Sequence, residues 1–188
     1  MPVLETDQGA VADSFRIARL ALAGGPWWPE DPALEAWNRW SERMLALGRV
    51  RTTLRIRRDP QALRSSLPPG LRRLGPLSTL IGKLGADHLL RRYGLGLDEA
   101  AIEREMDALL DQCAGALMGR DQLLSRPSYA DIAVAVGLSF VDPPELLPID
   151  PVARPHWTVP ALAERYAPLL VWRDSLLASV GAAEELGR

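Results

Sequence analysis

The sequence predicts a mainly α-helical protein, a helical bundle preceded by a short β-hairpin and a first helix. Three observations carry that expectation. Apolar residues recur at steps of three and four along 34–52 and again along 102–117, the spacing of helices with one buried face. Ser128 and Asp131 stand at the S/T-x-x-D/E spacing of a capping box, and residues 132–138 are apolar on nearly every face, as in a helix enclosed by others. Two short strands are expected at 3–5 and 10–11, around the turn Asp7-Gln8-Gly9.

A lone hairpin is marginal in water, so this one needs sheet partners, a neighbouring chain or the helices for support. Asp13-Ser14 opens a helix to about Ala23, with Phe15, Ile17, Leu20 and Ala21 as its apolar set, and Gly24-Gly25-Pro26 stops it. Residues 26–32 hold three prolines and form a linker. Asp31-Pro32 restarts a helix, the acid as cap and the proline in the first turn. It runs to about Arg58 with Leu34, Trp37, Trp40, Met44, Leu47 and Thr52 in register, and Asp59-Pro60 ends it.

A short helix over 61–65 precedes Leu67-Pro68-Pro69-Gly70. Residues 71–93 read as one helix with weak spots at Gly75-Pro76, Gly82 and Gly85, closed by Gly94-Leu95-Gly96. Residues 98–117 are the cleanest amphipathic helix: Ile102, Met106, Leu109, Leu110, Cys113 and Leu117 form its buried stripe, and Glu103, Asp107 and Asp111 face water. The core helix spans 128–140, a Pro-rich loop 142–157, and a short helix 158–166. Pro168 opens the last helix, through about Val180.

Composition bounds the function. A formal charge of −2 gives no global pull toward nucleic acid or membrane. Cys113 is the single cysteine, so neither an internal disulfide nor a cysteine metal cluster is possible, which agrees with a reducing cytoplasm. His88 and His156 lack metal-like spacing, and no metal is expected. There is no secretory signal pattern, and no apolar run long enough for a membrane span. No nucleophile-elbow serine, phosphate-binding loop or dinucleotide turn is present. Arginines cluster at Arg49, Arg51, Arg55, Arg57 and Arg58, followed by Arg64, Arg72 and Arg73, while 98–111 is strongly acidic. Pairing between these two stretches, or solvation, competes with a role in holding an anion. The lack of aromatics among the arginines speaks against single-stranded nucleic acid.

Gly119 to Gly137, GRDQLLSRPSYADIAVAVG, resembles the loop and core helix of the α-helical C-terminal domain of the glutathione S-transferase family. Tyr166-Ala167-Pro168-Leu169-Leu170-Val171-Trp172-Arg173-Asp174 resembles that family's late helix. The start, Met1-Pro2-Val3-Leu4 through Asp7-Gln8-Gly9 to Asp13-Ser14 and Ile17-Ala18-Arg19, is similar to the second half of its thioredoxin-like glutathione-binding domain. Trp28-Pro29-Glu30-Asp31-Pro32 is similar to the linker between the two. Residues from about 60 to 95 match only loosely.

The resemblance implies a division into 1–25, a remnant of the thioredoxin-like domain; 26–32, a linker; and 33–188, the helical domain. It implies a chain that starts partway through the thioredoxin-like unit, without the strand–helix–strand that carries the activating Tyr, Ser or Cys. No catalytic residue is therefore carried over. Glutathione, as substrate, would meet the backbone at Met1 and Pro2, and its γ-glutamyl end would meet Asp13 and Ser14. A helix N-terminus with a serine suits a carboxylate, but the same pair also makes an ordinary helix cap. Trp37, Trp40 and Met44 would line the pocket of an apolar electrophile, with core or dimer packing as the competing role. The implied activity is glutathione conjugation or thiol transfer by a cytoplasmic homodimer, given the missing segment. The alternative is a non-catalytic dimerisation or protein-interaction module. Neither nucleic acid nor membrane is an expected partner.

Overall fold

The computed structural model describes residues 3–6 and 9–186, with side chains described for 3–5 and 9–179. Strands β1 (Leu4–Thr6) and β2 (Gly9–Val11) pair antiparallel with Leu4 opposite Val11, Glu5 opposite Ala10 and Thr6 opposite Gly9. They form the only sheet among the described residues. Helix α1 (Ser14–Leu22) comes next, with Asp13 as its cap. None of its residues is buried, and Leu20, placed in its apolar set by sequence, points to solvent.

The bundle is organised on α2 (Ala33–Arg58). Asp31 Oδ1 accepts from the Ala33 amide at 2.8 Å and starts it. Asp59 ends it and caps α3 (Pro60–Ser65), its Oδ1 accepting from the Gln61 and Ala62 amides. The expected single helix over 71–93 is instead two, α4 (Pro69–Arg72) and α5 (Pro76–Tyr93). Pro76 disfavours helical backbone at the residue before it, and Gly75 takes φ of 57°, which only glycine adopts at little cost. Gly82, the other weak spot, stays helical. A Cβ there would lie 3.2 Å from Leu63, so the glycine lets α5 close on α3.

Helix α6 (Glu99–Leu117) buries the expected Ile102, Met106, Leu110, Cys113 and Leu117, with Leu109 half-buried. Its acids do not simply face water. Glu103 pairs with Arg51 at 2.7 Å, Glu105 with Arg43 at 2.5 Å and Glu99 with Arg58 at 2.7 Å. The arginine-rich end of α2 and the acidic helix therefore meet within one chain. Asp107 and Asp111 take Arg165 and the Tyr166 hydroxyl.

Helix α7 (Tyr129–Leu138) packs between α2 and α10 (Ala167–Leu186). Seven of its residues are buried, and Ser41 Oγ donates to the Ala133 carbonyl at 2.6 Å. Gly48 on α2 is required by close approach: a Cβ there would fall 2.3 Å from Phe140 Cγ. The Pro-rich stretch expected as loop contains a short helix, α8 (Arg154–Trp157). Arg154 donates to the carbonyls of Pro143, Pro144 and Leu147, which ties the stretch to itself. Helix α9 (Pro160–Arg165) leads into α10, which runs beyond the expected end at Val180. No helix among the described residues is long and apolar enough to cross a membrane.

Candidate functional site

The hairpin and α1 reach the bundle through three aromatic rings. Phe15 on α1, Trp28 in the linker and Tyr129 at the start of α7 lie with centroids 5.2, 5.7 and 5.5 Å apart pairwise. The Tyr129 amide also donates to the Trp27 carbonyl at 2.8 Å. Beside this contact is a cleft of about 620 Å³, lined by Phe15, Arg19, Trp28, Glu30, Glu35 and Arg126 among others. Arg19 and Arg126 form no ion pair among the described residues. Cations and acids around an aromatic floor suit a small zwitterion with carboxylates. The Tyr129 phenol is pushed above its ordinary range, first by burial and then by the nearby Glu42 and Asp13 carboxylates. It stays neutral and offers its hydroxyl to Asn38 Oδ1.

Neither Asp13 nor Ser14 lines this cleft, although their neighbour Phe15 does. Asp13 Oδ1 is engaged in its own helix, accepting from the Arg16 amide at 2.8 Å, as a cap does. Ser14 is exposed. Met1 and Pro2 lie outside the described residues.

Trp37, Trp40 and Met44 do not line this cleft. All three are buried in the main core; the two indoles lie 6.2 Å apart, and Trp40 Nε1 donates to the Leu109 carbonyl at 2.9 Å. They take the core-packing role that competed with a substrate wall. Helical spacing identifies a buried face but cannot tell a core from the lining of a pocket.

The capping box is present. Asp131 is 1% exposed; its Oδ2 accepts from the Ser128 amide at 2.8 Å and from Ser128 Oγ at 2.9 Å, and its Oδ1 accepts from the Leu123 amide at 2.8 Å. One carboxylate so fixes both the start of α7 and the loop that leads to it. Its charge also acts on Cys113, whose thiol is pushed up to about 12, chiefly by burial and then by Asp131. Cys113 is therefore a packed, unreactive thiol rather than a nucleophile. Among the described residues, no group of three or more His, Cys, Asp or Glu side chains could hold a metal ion.

A second groove, of about 810 Å³, runs between the end of α6 and α10, with Leu117, Met118, Tyr166, Leu169, Trp172 and Leu176 on its walls. Sequence reasoning missed both the cleft and the groove. Arg19 and Arg126 are more than a hundred positions apart, and only the fold brings them to one opening. The available signal was that each stands apart from any acid at helical spacing.

Compared with known proteins, the chain matches no family model, no curated protein and no solved structure. The fold by itself defines a class: a mainly helical bundle with an antiparallel hairpin and a helix attached at its N-terminal side.

Proposed function

We propose that the chain is a glutathione S-transferase-like protein. In this reading it takes part in glutathione conjugation or thiol transfer to an apolar electrophile, and none of the residues here is assigned the thiol-activating role. The observation that carries the reading is the buried box at Ser128 and Asp131, opening an enclosed apolar helix at the centre of the bundle. The order of hairpin, helix, Pro-rich linker and bundle supports it. The cleft beside Phe15 and Trp28 is the natural seat for the tripeptide: Arg19 and Arg126 would meet its carboxylates, and Glu30 or Glu35 its ammonium. The chemistry is stabilisation of the thiolate and its attack on the electrophile. Asp13 and Ser14 would reach only the γ-glutamyl end.

A specific observation favours the second reading, a non-catalytic dimerisation or protein-interaction module. Val3, Leu4 and Leu20 expose apolar surface on a unit that has no buried residue in its helix. Glutathione affinity separates the two. An enzyme-like chain is retained on glutathione resin, and a ligand concentration of about a hundred times Kd stabilises it by roughly 2.7 kcal/mol, read as a rise in Tm. The pair Arg19→Gln and Arg126→Gln should weaken both effects. A chain with no retention and no rise in Tm, yet a concentration-dependent mass in sedimentation, is the interaction module.

A further inference from the structure

The segment between α2 and α6 has two dissimilar faces. The inner face of α5, made by Ser78, Gly82 and Ala86, is buried on α2 and α3. At 100° per residue, Leu77, Leu80, Leu84, His88 and Arg91 fall within an arc of about 80° on the opposite side. The three leucines are 59%, 54% and 58% exposed, and Leu71 and Leu74 just ahead of the helix are exposed as well. A row of leucines open to solvent over two turns calls for an occupant.

Charge says which kind. Residues 60–97 carry Arg64, Arg72, Arg73, Lys83, Arg91 and Arg92 against the single acid Asp87. Asp87 is already held by Arg57 at 2.5 Å. Arg72 has one distant carboxylate, Asp150 at 3.9 Å, and Arg92 lies over the Tyr93 ring. Arg64, Arg73, Lys83 and Arg91 form no ion pair among the described residues. A two-fold pairing of this face with its own copy would set cation against cation. The acids of α6 that could receive it, Glu99, Glu103, Glu105, Asp107 and Asp111, are taken by arginines of the same chain. The remaining complement is a surface that is apolar and anionic together.

We propose that this face docks on an anionic lipid surface, with Leu77, Leu80 and Leu84 entering the boundary between headgroups and acyl chains and the flanking arginines meeting lipid phosphates. The whole-chain charge of −2 conceals this, because the acids that outweigh the cations lie in other segments. The expectation of no membrane partner rests in part on that total, and otherwise on the lack of a spanning apolar run, which a peripheral contact does not need. The contact is peripheral and stands apart from the glutathione reading.

Flotation of the full chain with vesicles of phosphatidylcholine alone, or of phosphatidylcholine with phosphatidylglycerol, tests it. Binding is expected only with the anionic vesicles and should fall as salt rises. Leu80→Gln with Leu84→Gln should weaken binding by about tenfold or more while leaving Tm unchanged, because both side chains are exposed. Arg72→Gln, Arg73→Gln and Arg91→Gln together should weaken it similarly and flatten its salt dependence. Absence of binding to anionic vesicles at low salt overturns the proposal, as does equal binding to phosphatidylcholine alone or equal binding by the leucine variant. A dimer of the unaltered chain that the leucine changes dissolve would assign the face to a second copy and overturn it too. Glutathione retention reads independently: its loss with vesicle binding intact removes the enzyme reading alone.

Discussion

Asp131 ties the start of α7 to the loop before it from a buried position. It is buried, charged and satisfied by three donors from two different segments. Removing it leaves the Leu123 and Ser128 amides without partners in a place water does not reach, and such groups cost about 1–3 kcal/mol each. Asp131→Ala should therefore destabilise the chain by roughly 2–4 kcal/mol in urea unfolding, more than an ordinary exposed cap at about 1 kcal/mol. Ser128→Ala removes one bond and leaves the carboxylate its two amides, so its loss should be smaller. Two buried arginines are held by similar means. Arg51, 1% exposed, spans Glu103 and the His156 carbonyl, and Arg173, 2% exposed, reaches the Asp142 carbonyl and Asp174. The arginines are buried while their acids are not, so removing the acid leaves a buried cation short of compensation, whereas removing the arginine leaves only a solvated carboxylate.

At the scale of elements, Asp59 joins three of them. It terminates α2, caps α3 and accepts from His156 at the edge of α8, with Oδ2 and Nε2 3.0 Å apart. The two backbone bonds first, and His156 after them, hold its carboxyl below the ordinary carboxylate range. A lowered folded value means a stabilising contribution that is full above the unfolded carboxylate range and is lost as pH falls through the folded value. Asp59→Asn should flatten the acid limb of Tm against pH, with a loss of about 1 kcal/mol or less at neutral pH. An acid limb identical to that of the unaltered chain would show that Asp59 does not act this way. The sequence made most helices legible because their signals are local: caps at Asp13, Asp31 and Ser128, stops at Gly24 and Gly94, and the stripe from Ile102 to Leu117. The features it hid depend on partners far along the chain. The helix at 154–157 exists within a loop folded back on Arg154. Pairing of the α6 acids with the arginines of α2 was one of the roles the charge pattern offered, but which residues meet was not legible, since the partners lie about fifty positions apart. The site was less legible still. The aromatic contact of Phe15, Trp28 and Tyr129 has no spacing rule, and Trp37 and Trp40 announced a buried face without saying what fills it.

For the whole molecule, attachment is uneven. The bundle shares one continuous core from Leu34 to Leu170, whereas the hairpin and α1 touch it mainly through one ring of Phe15. Local opening is easiest where few apolar contacts must break. Amides of residues 9–22 should exchange with deuterium well before those of α2 and α7, and Phe15→Ala should speed that exchange without altering the bundle. Bound glutathione in the adjoining cleft should slow it. Protection of α1 equal to that of α7 would contradict the loose attachment.

The central position of α2 has a consequence for the chain as it is made. Its buried face is completed by α7, whose last residue is translated about eighty positions after Arg58. At roughly 5–20 residues per second, Trp37, Trp40, Met44 and Leu47 lack the cover of α7 on the nascent chain for about 4–16 seconds. Until α6 supplies Glu99, Glu103 and Glu105, about halfway through that interval, the ribosome carries an apolar helix whose arginine-rich end lacks those acidic partners, a species that a ribosome-bound chaperone would hold until Asp131 emerges and the interior can close.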